Sequence, residues 1–271
     1  MRPAFAALAL ALAASSAAAA DDGKYPRWDG QWQRVGGAQY DPSKSARDLQ
    51  IPFTPAMQAH FDAVVANRKE GGLVDNFSTS CVPIGMPRMT VDYERQEIIV
   101  TPATTYIWDT EGNELRRIYT DGRAWPAKID PGFLGYSIGE WKDAKGTGKF
   151  DALEVETRGF LGPRTYDSSG AMLDPDNQSV VKERFAFDAA KPDEFADEIT
   201  TIDHSLTRPY TIHRLYKRAK KSVFSDTLCA LDESYLILGD ENYFISADGF
   251  VMPAKKGQKP PDLKYFDNAG K

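Results

Sequence analysis

Apolar residues along the chain follow two spacings. From Thr54 to Lys69 they recur at helical intervals, with Met57, Phe61, Val64 and Val65 at i, i+4, i+7 and i+8, one stripe on a helix face. Thr54 suits the cap of that helix and Pro55 its first position, where a backbone N–H is dispensable; Gly71-Gly72 stops it. Elsewhere the alternation is that of strands. Residues 97–108 and 114–120 flank a turn at Thr110-Glu111-Gly112-Asn113, and 133–141 and 151–158 flank the stretch Lys145-Gly146-Thr147-Gly148. Residues 180–188, 194–202 and 209–218 read as three consecutive strands, with Val181, Glu183, Phe185 and Phe187 on one face of the first. No helical pattern separates these strands, so an antiparallel meander is expected rather than βαβ units. A sheet with so many strands must hide its edges, and closure into a barrel does so.

The first residues read as an address. Arg2, the apolar run from Ala4 to Ala14 and the small residues Ala18-Ala19-Ala20 form a signal-peptide pattern with cleavage after Ala20; the run is too short and Ala-rich for a membrane span. The expected division is residues 1–20 signal peptide, 21–251 a single β-barrel-like domain, and 252–271 a Lys/Pro-rich tail that buries little apolar surface. A periplasmic or secreted location, without a transmembrane segment, follows. In an oxidising compartment the only two cysteines, Cys81 and Cys229, favour a disulfide. It would close a loop of roughly 150 residues, worth about 5 kcal/mol by chain-entropy arithmetic. Two free thiols are the alternative; a reactive thiol lacks a local base to lower its pKa.

The 271 residues are 42% hydrophobic and 27% charged, ordinary for a soluble globular protein. Lys and Arg number 33 against 39 Asp and Glu, a net charge of −6, which argues against nucleic acid as a partner. Three scattered histidines, His60, His204 and His213, make a poor zinc set. Asp174-Pro175-Asp176-Asn177 lacks the glycine and distal glutamate of a calcium loop, and no glycine-rich phosphate loop appears. No cofactor and no metal are expected. Composition leaves the oligomeric state open.

Candidate chemistry centres on Arg116-Arg117-Ile118-Tyr119-Thr120-Asp121-Gly122-Arg123. On a strand, Arg117, Tyr119 and Asp121 share one face and Arg116, Ile118 and Thr120 the other. The polar face either is solvated or forms a structural ion-pair network, or it points inward and lines a pocket. In the pocket reading Asp121 or Glu183 is the acid or base, Tyr119 or His213 the second proton carrier, and Arg117 or Arg123 the anion stabiliser. Trp141 and Trp108 belong to an aromatic cluster that either builds a β core or stacks a ligand. Gly135-Tyr136-Ser137-Ile138-Gly139 matches the Gly-x-Ser-x-Gly elbow of serine hydrolases, but the sequel is another strand rather than a helix, so glycines at a bulge or close strand contact are favoured. His60 is expected to border the apolar face of its helix.

Several of these pieces recur in order. Cys81-Val82-Pro83-x-Gly85-x-Pro87-Arg88, the Arg116–Arg123 run, Gly135-x-Ser137-Ile138-Gly139-x-Trp141 and Glu183-Arg184-Phe185 together resemble a family of largely uncharacterised exported bacterial proteins, over most of the mature chain. Where relatives carry a tight acidic turn after the Trp, this chain has the longer Lys142–Gly148 stretch. The resemblance brings no activity with it. Gly30-x-Trp32 is also similar to the opening of lipocalin-like barrels, in which the indole plugs one end. The fold expected is thus mainly β, an antiparallel meander closing into a lipocalin-like barrel with one packed helix. The function expected is an exported protein whose pocket binds a small apolar or aromatic molecule. If it is an enzyme, it converts that ligand as a cofactor-independent lyase, hydratase or isomerase. The alternatives are a serine hydrolase using Ser137 and a non-enzymatic envelope or structural protein.

Overall fold

The computed structural model describes residues 23–36, 51–70, 81–91, 95–110, 112–223, 235–245 and 250–262. Nine strands close into a barrel in chain order: β1 (Gly30–Arg34), β2 (Arg95–Val100), β3 (Thr104–Asp109), β4 (Glu114–Tyr119), β5 (Tyr136–Lys142), β6 (Ala152–Arg158), β7 (Val180–Phe187), β8 (Glu194–Ile202) and β9 (Tyr210–Arg218). β1 pairs with both β2 and β9, which leaves the barrel sheet no free edge. The chain is mainly β and the barrel is closed, as its strand pattern predicts.

The meander is not antiparallel throughout. β4 and β5 run parallel, paired only at Ile118↔Ser137 and Tyr119↔Ile138. A parallel neighbour needs a connection that carries the chain back along the strand, and residues 120–135 supply it. Gly135 ends this segment at φ +64°, where a Cβ would stand 2.8 Å from the Arg158 carbonyl oxygen. The 97–108 run is likewise two strands. Pro102 has no N–H for a ladder, so the chain turns at Thr101-Pro102-Ala103, closed by the Thr101 N–H on the Thr104 carbonyl at 3.0 Å.

Helix α1 (Pro55–Lys69) starts where its cap predicts: Thr54 Oγ1 accepts the Met57 N–H at 3.4 Å. Of its stripe, Phe61 and Val64 are buried, Met57 and Val65 only in part, and His60 is exposed rather than packed. Phe61 packs on Phe53, which bridges to Leu206; the Thr54 and Thr207 N–H groups bond the Ser205 and Pro52 carbonyls. These contacts fasten the helix to the β8–β9 turn. A second helix, α2 (Arg88–Val91), has all four residues buried. Its carbonyls would be orphaned there, and barrel side chains satisfy them: Gln96 Nε2 donates to Met89 O, Tyr216 Oη to Thr90 O and Arg214 Nε to Val91 O.

Strands β10 (Tyr235–Leu238), β11 (Glu241–Ile245) and β12 (Val251–Pro253) form a separate antiparallel sheet. Met252 and Pro253, at the head of the expected tail, therefore belong to a strand. Beyond them the Lys256 N–H bonds the Glu70 carbonyl, and Gln258 Oε1 accepts the Ala254 and Lys255 N–H groups. The signal-peptide expectation and Cys229 lie outside the described residues, as do residues 263–271. Among the described residues no helix is long and apolar enough to cross a membrane.

Candidate functional site

β4 places Arg116 and Ile118 inside the barrel and Arg117 outside, directly across from Tyr106 on β3. Of the two readings of Arg117, Tyr119 and Asp121, this register supports the solvated, ion-paired face and corrects the inward, pocket-lining one. Burying Ile118 is favourable, and period-2 geometry carries Arg116 inward with it. Tyr119 is half-buried at the strand end, and Asp121 and Arg123 lie exposed in the loop that follows. There Arg123 makes a forked pair with Asp121 (2.6 Å from Nη2 to Oδ2), lies 3.8 Å above the Tyr119 ring and donates to Tyr136 Oη at 3.3 Å. The guanidinium hydrogen bonds hold the Asp121 carboxyl below its ordinary range. This cluster satisfies itself on the outer surface.

Inside, Arg116 and Glu183 form a bidentate ion pair with side chains 1% and 0% exposed. Arg116 also donates to Ser137 Oγ at 3.2 Å and Thr157 Oγ1 at 2.9 Å, and these two hydroxyls bond each other at 2.9 Å. Asp197 on β8 completes the polar centre opposite Arg214 of β9. It is 1% exposed and neither carboxylate oxygen accepts a hydrogen bond. Burial pushes its pKa well above the usual range, the Glu183 charge adds to this, and Arg116 and Arg214 oppose it. Sequence reasoning missed Arg116, Thr157 and Asp197. The signal present was Glu183 alone among Val181, Phe185 and Phe187, since an inward carboxylate demands a buried cation.

The proposed catalytic set is divided by the barrel wall. Glu183 is inside and occupied by Arg116. His213 projects outward, its Nδ1 3.7 Å from Glu198. Trp108 also faces out, donating to Asn113 Oδ1 at 3.0 Å. Ser137 lies within strand β5, buried between Arg116 and Thr157, rather than on a strand-to-helix turn, and no histidine shares its hydrogen bonds. Asp203 is taken by Ser179 and by the N–H groups of Asp174 and Ser205, while His204 pairs with Asp176 on the surface. The neighbouring glycines have steric reasons. A Cβ on Gly139 would stand 2.7 Å from Ile118 Cγ2. Among the described residues no group of three or more His, Cys, Asp or Glu is placed to hold a metal ion.

One end of the barrel is aromatic. Trp28 packs edge-on against Trp141, Phe187 and Phe195, and Phe195 stacks on Tyr216 at 4.6 Å. Trp32 is buried at this end: it is 1% exposed, its indole N–H donates to Trp28 O at 2.7 Å, and Arg218 lies 4.3 Å over its ring. Trp141 is buried, edge-on to Tyr25 at 5.4 Å. Above this layer a cavity of about 440 Å³ opens between segment 23–27, the β5–β6 turn and the β7–β8 turn. Tyr25, Trp32, Phe150 and Phe187 contribute its aromatic walls. The Phe150 N–H on the Lys24 carbonyl (2.7 Å) pins the N-terminal segment to the β5–β6 turn. A second concavity, about 460 Å³, lies on the outer face of β5–β8, but its carboxylates Glu140, Glu154, Glu156 and Glu198 are already paired with Lys142, Arg184, Arg158 and His213.

No family model matches the chain, and none of the curated proteins matches it either.

Proposed function

We propose that this chain is an exported binding protein that holds a small apolar or aromatic molecule at the aromatic mouth of the barrel. The cavity of about 440 Å³ beside Tyr25, Trp32, Phe150 and Phe187 carries the reading. It has the size of a small-molecule site and a mostly apolar wall to which four aromatic residues contribute. Binding, rather than conversion, is favoured by what the nearby acids do. Asp151 and Asp188 each accept a backbone N–H, from Ala144 and Ala190, and Glu194 pairs with Lys217, so each acid has a part in holding its own turn or strand. Export and a Cys81–Cys229 disulfide are part of the same proposal and rest on the N-terminal pattern and the even cysteine count.

Fluorescence titration with the neutral probe N-phenyl-1-naphthylamine tests the site. Wild-type protein is expected to bind it, and Phe150→Ala and Tyr25→Ala to weaken binding about tenfold each, near 1.4 kcal/mol. Absence of binding to wild type, or full affinity in both variants, overturns the reading. For the export component, the protein recovered from its host should begin at Asp21 and yield a Cys81–Cys229 peptide pair under non-reducing digestion.

A further inference from the structure

Resting on the reading that the aromatic mouth is the binding site, we propose that its ligand is an aromatic carboxylate, with the ring among Tyr25, Phe150 and Phe187 and the anion at a cationic rim. Arg27, Lys145 and Lys149 line the opening and make no ion pair among the described residues. Asp151 Oδ1 accepts the Ala144 N–H at 2.9 Å, Asp188 Oδ1 the Ala190 N–H at 3.0 Å, and Glu194 lies 3.0 Å from Lys217. Four cationic residues, Lys24, Arg27, Lys145 and Lys149, line the opening against three acidic ones, of which Glu194 is paired with Lys217, so the opening is positive on balance although the whole chain carries −6.

The lysines stand on a shaped turn. Asp143 accepts the Thr147 and Gly148 N–H groups through its two oxygens, at 2.9 and 2.7 Å, and those bonds hold its own carboxyl low. Asp143 thus shapes the turn that presents Lys145 and leads into Lys149. Phe150 follows Lys149 directly, so the cationic rim and the aromatic wall are adjacent in the chain. A ring entering from solvent would bury its apolar face while its carboxylate stays at the half-wet edge. There a cation attracts it without the cost of burying either charge. The volume suits one or two fused rings.

The experiment compares two probes with the same ring, 2-naphthoate and the neutral 2-naphthylmethanol, by isothermal titration with wild-type protein and with the triple variant Arg27→Gln/Lys145→Gln/Lys149→Gln. Wild type is expected to prefer naphthoate about tenfold at low salt, with the preference shrinking toward unity at about 0.5 M salt. The triple variant should lose that preference and keep its affinity for the alcohol within about twofold. Equal affinity of wild type for both probes, or a preference that survives the triple substitution, overturns the anion proposal and leaves the aromatic-site reading standing. Failure of wild type to bind either probe overturns both. Thermal midpoints of the variant and wild type should coincide, because all three side chains are exposed.

Discussion

Arg116 and Glu183 face each other across the interior of the barrel as a buried, bidentate ion pair, one from β4 and the other from β7, strands that are not neighbours in the sheet. The pair ties opposite parts of the barrel wall, and Ser137 and Thr157 satisfy the remaining guanidinium N–H groups on that side. Such an arrangement makes each partner costly to remove singly.

Replacing Glu183 by Gln or Arg116 by Met should each lower the free energy of unfolding by roughly 3–5 kcal/mol, because each leaves an uncompensated buried charge. The double variant Arg116→Met/Glu183→Leu should lose less than the sum of the singles. Urea denaturation of the four proteins measures this; singles within about 1 kcal/mol of wild type would show that the pair is not structural.

Asp197 should act with the opposite sign. Its folded pKa is raised by burial, so folding takes up a proton once pH exceeds the unfolded value near 3.9, and stability falls as pH climbs from there toward the folded pKa. Asp197→Asn removes that dependence with little change in volume. It should be more stable than wild type at pH 7, with the gap closing near pH 4. A pH series of denaturation curves in which the variant is equal or weaker at neutral pH would contradict the raised value.

The outer cluster should be nearly silent. Asp121→Asn and Arg123→Met break an exposed pair, with side chains 31% and 39% accessible, worth about 0–1 kcal/mol. Neither should move probe binding at the mouth. A loss of binding in either variant would return the site to the Tyr119 strand.

Gly139 is predicted to be intolerant. A Cβ there would meet Ile118 Cγ2 at 2.7 Å and Leu153 Cδ1 at 3.1 Å, both buried. Gly139→Ala should cost about 1–3 kcal/mol by overpacking, read from the thermal or urea midpoint. An unchanged midpoint would mean that Ile118 can rotate aside.

Strand order and the helix were legible because their signals are local. Alternation at Val181, Glu183, Phe185 and Phe187 gave the buried face of β7, and Thr54-Pro55 marked the start of α1. The split at Pro102 was also readable in principle, since a residue without an N–H interrupts a ladder. The parallel β4–β5 pair was not, because strand direction depends on where a turn-rich connection deposits the chain.

By itself, then, the sequence determined a mainly β chain with one capped helix and a sheet that closes on itself. Only the tertiary structure decided which of two adjacent arginines turns inward. Period-2 geometry puts Arg116 and Arg117 on opposite faces, and each face carries both polar and apolar residues, so the local pattern is nearly indifferent. The choice was made by Glu183, 67 residues further along the chain, which meets Arg116 inside the barrel. The mouth was decided in the same way, since Tyr25, Phe150 and Phe187 come together only when the barrel closes and the N-terminal segment crosses its end.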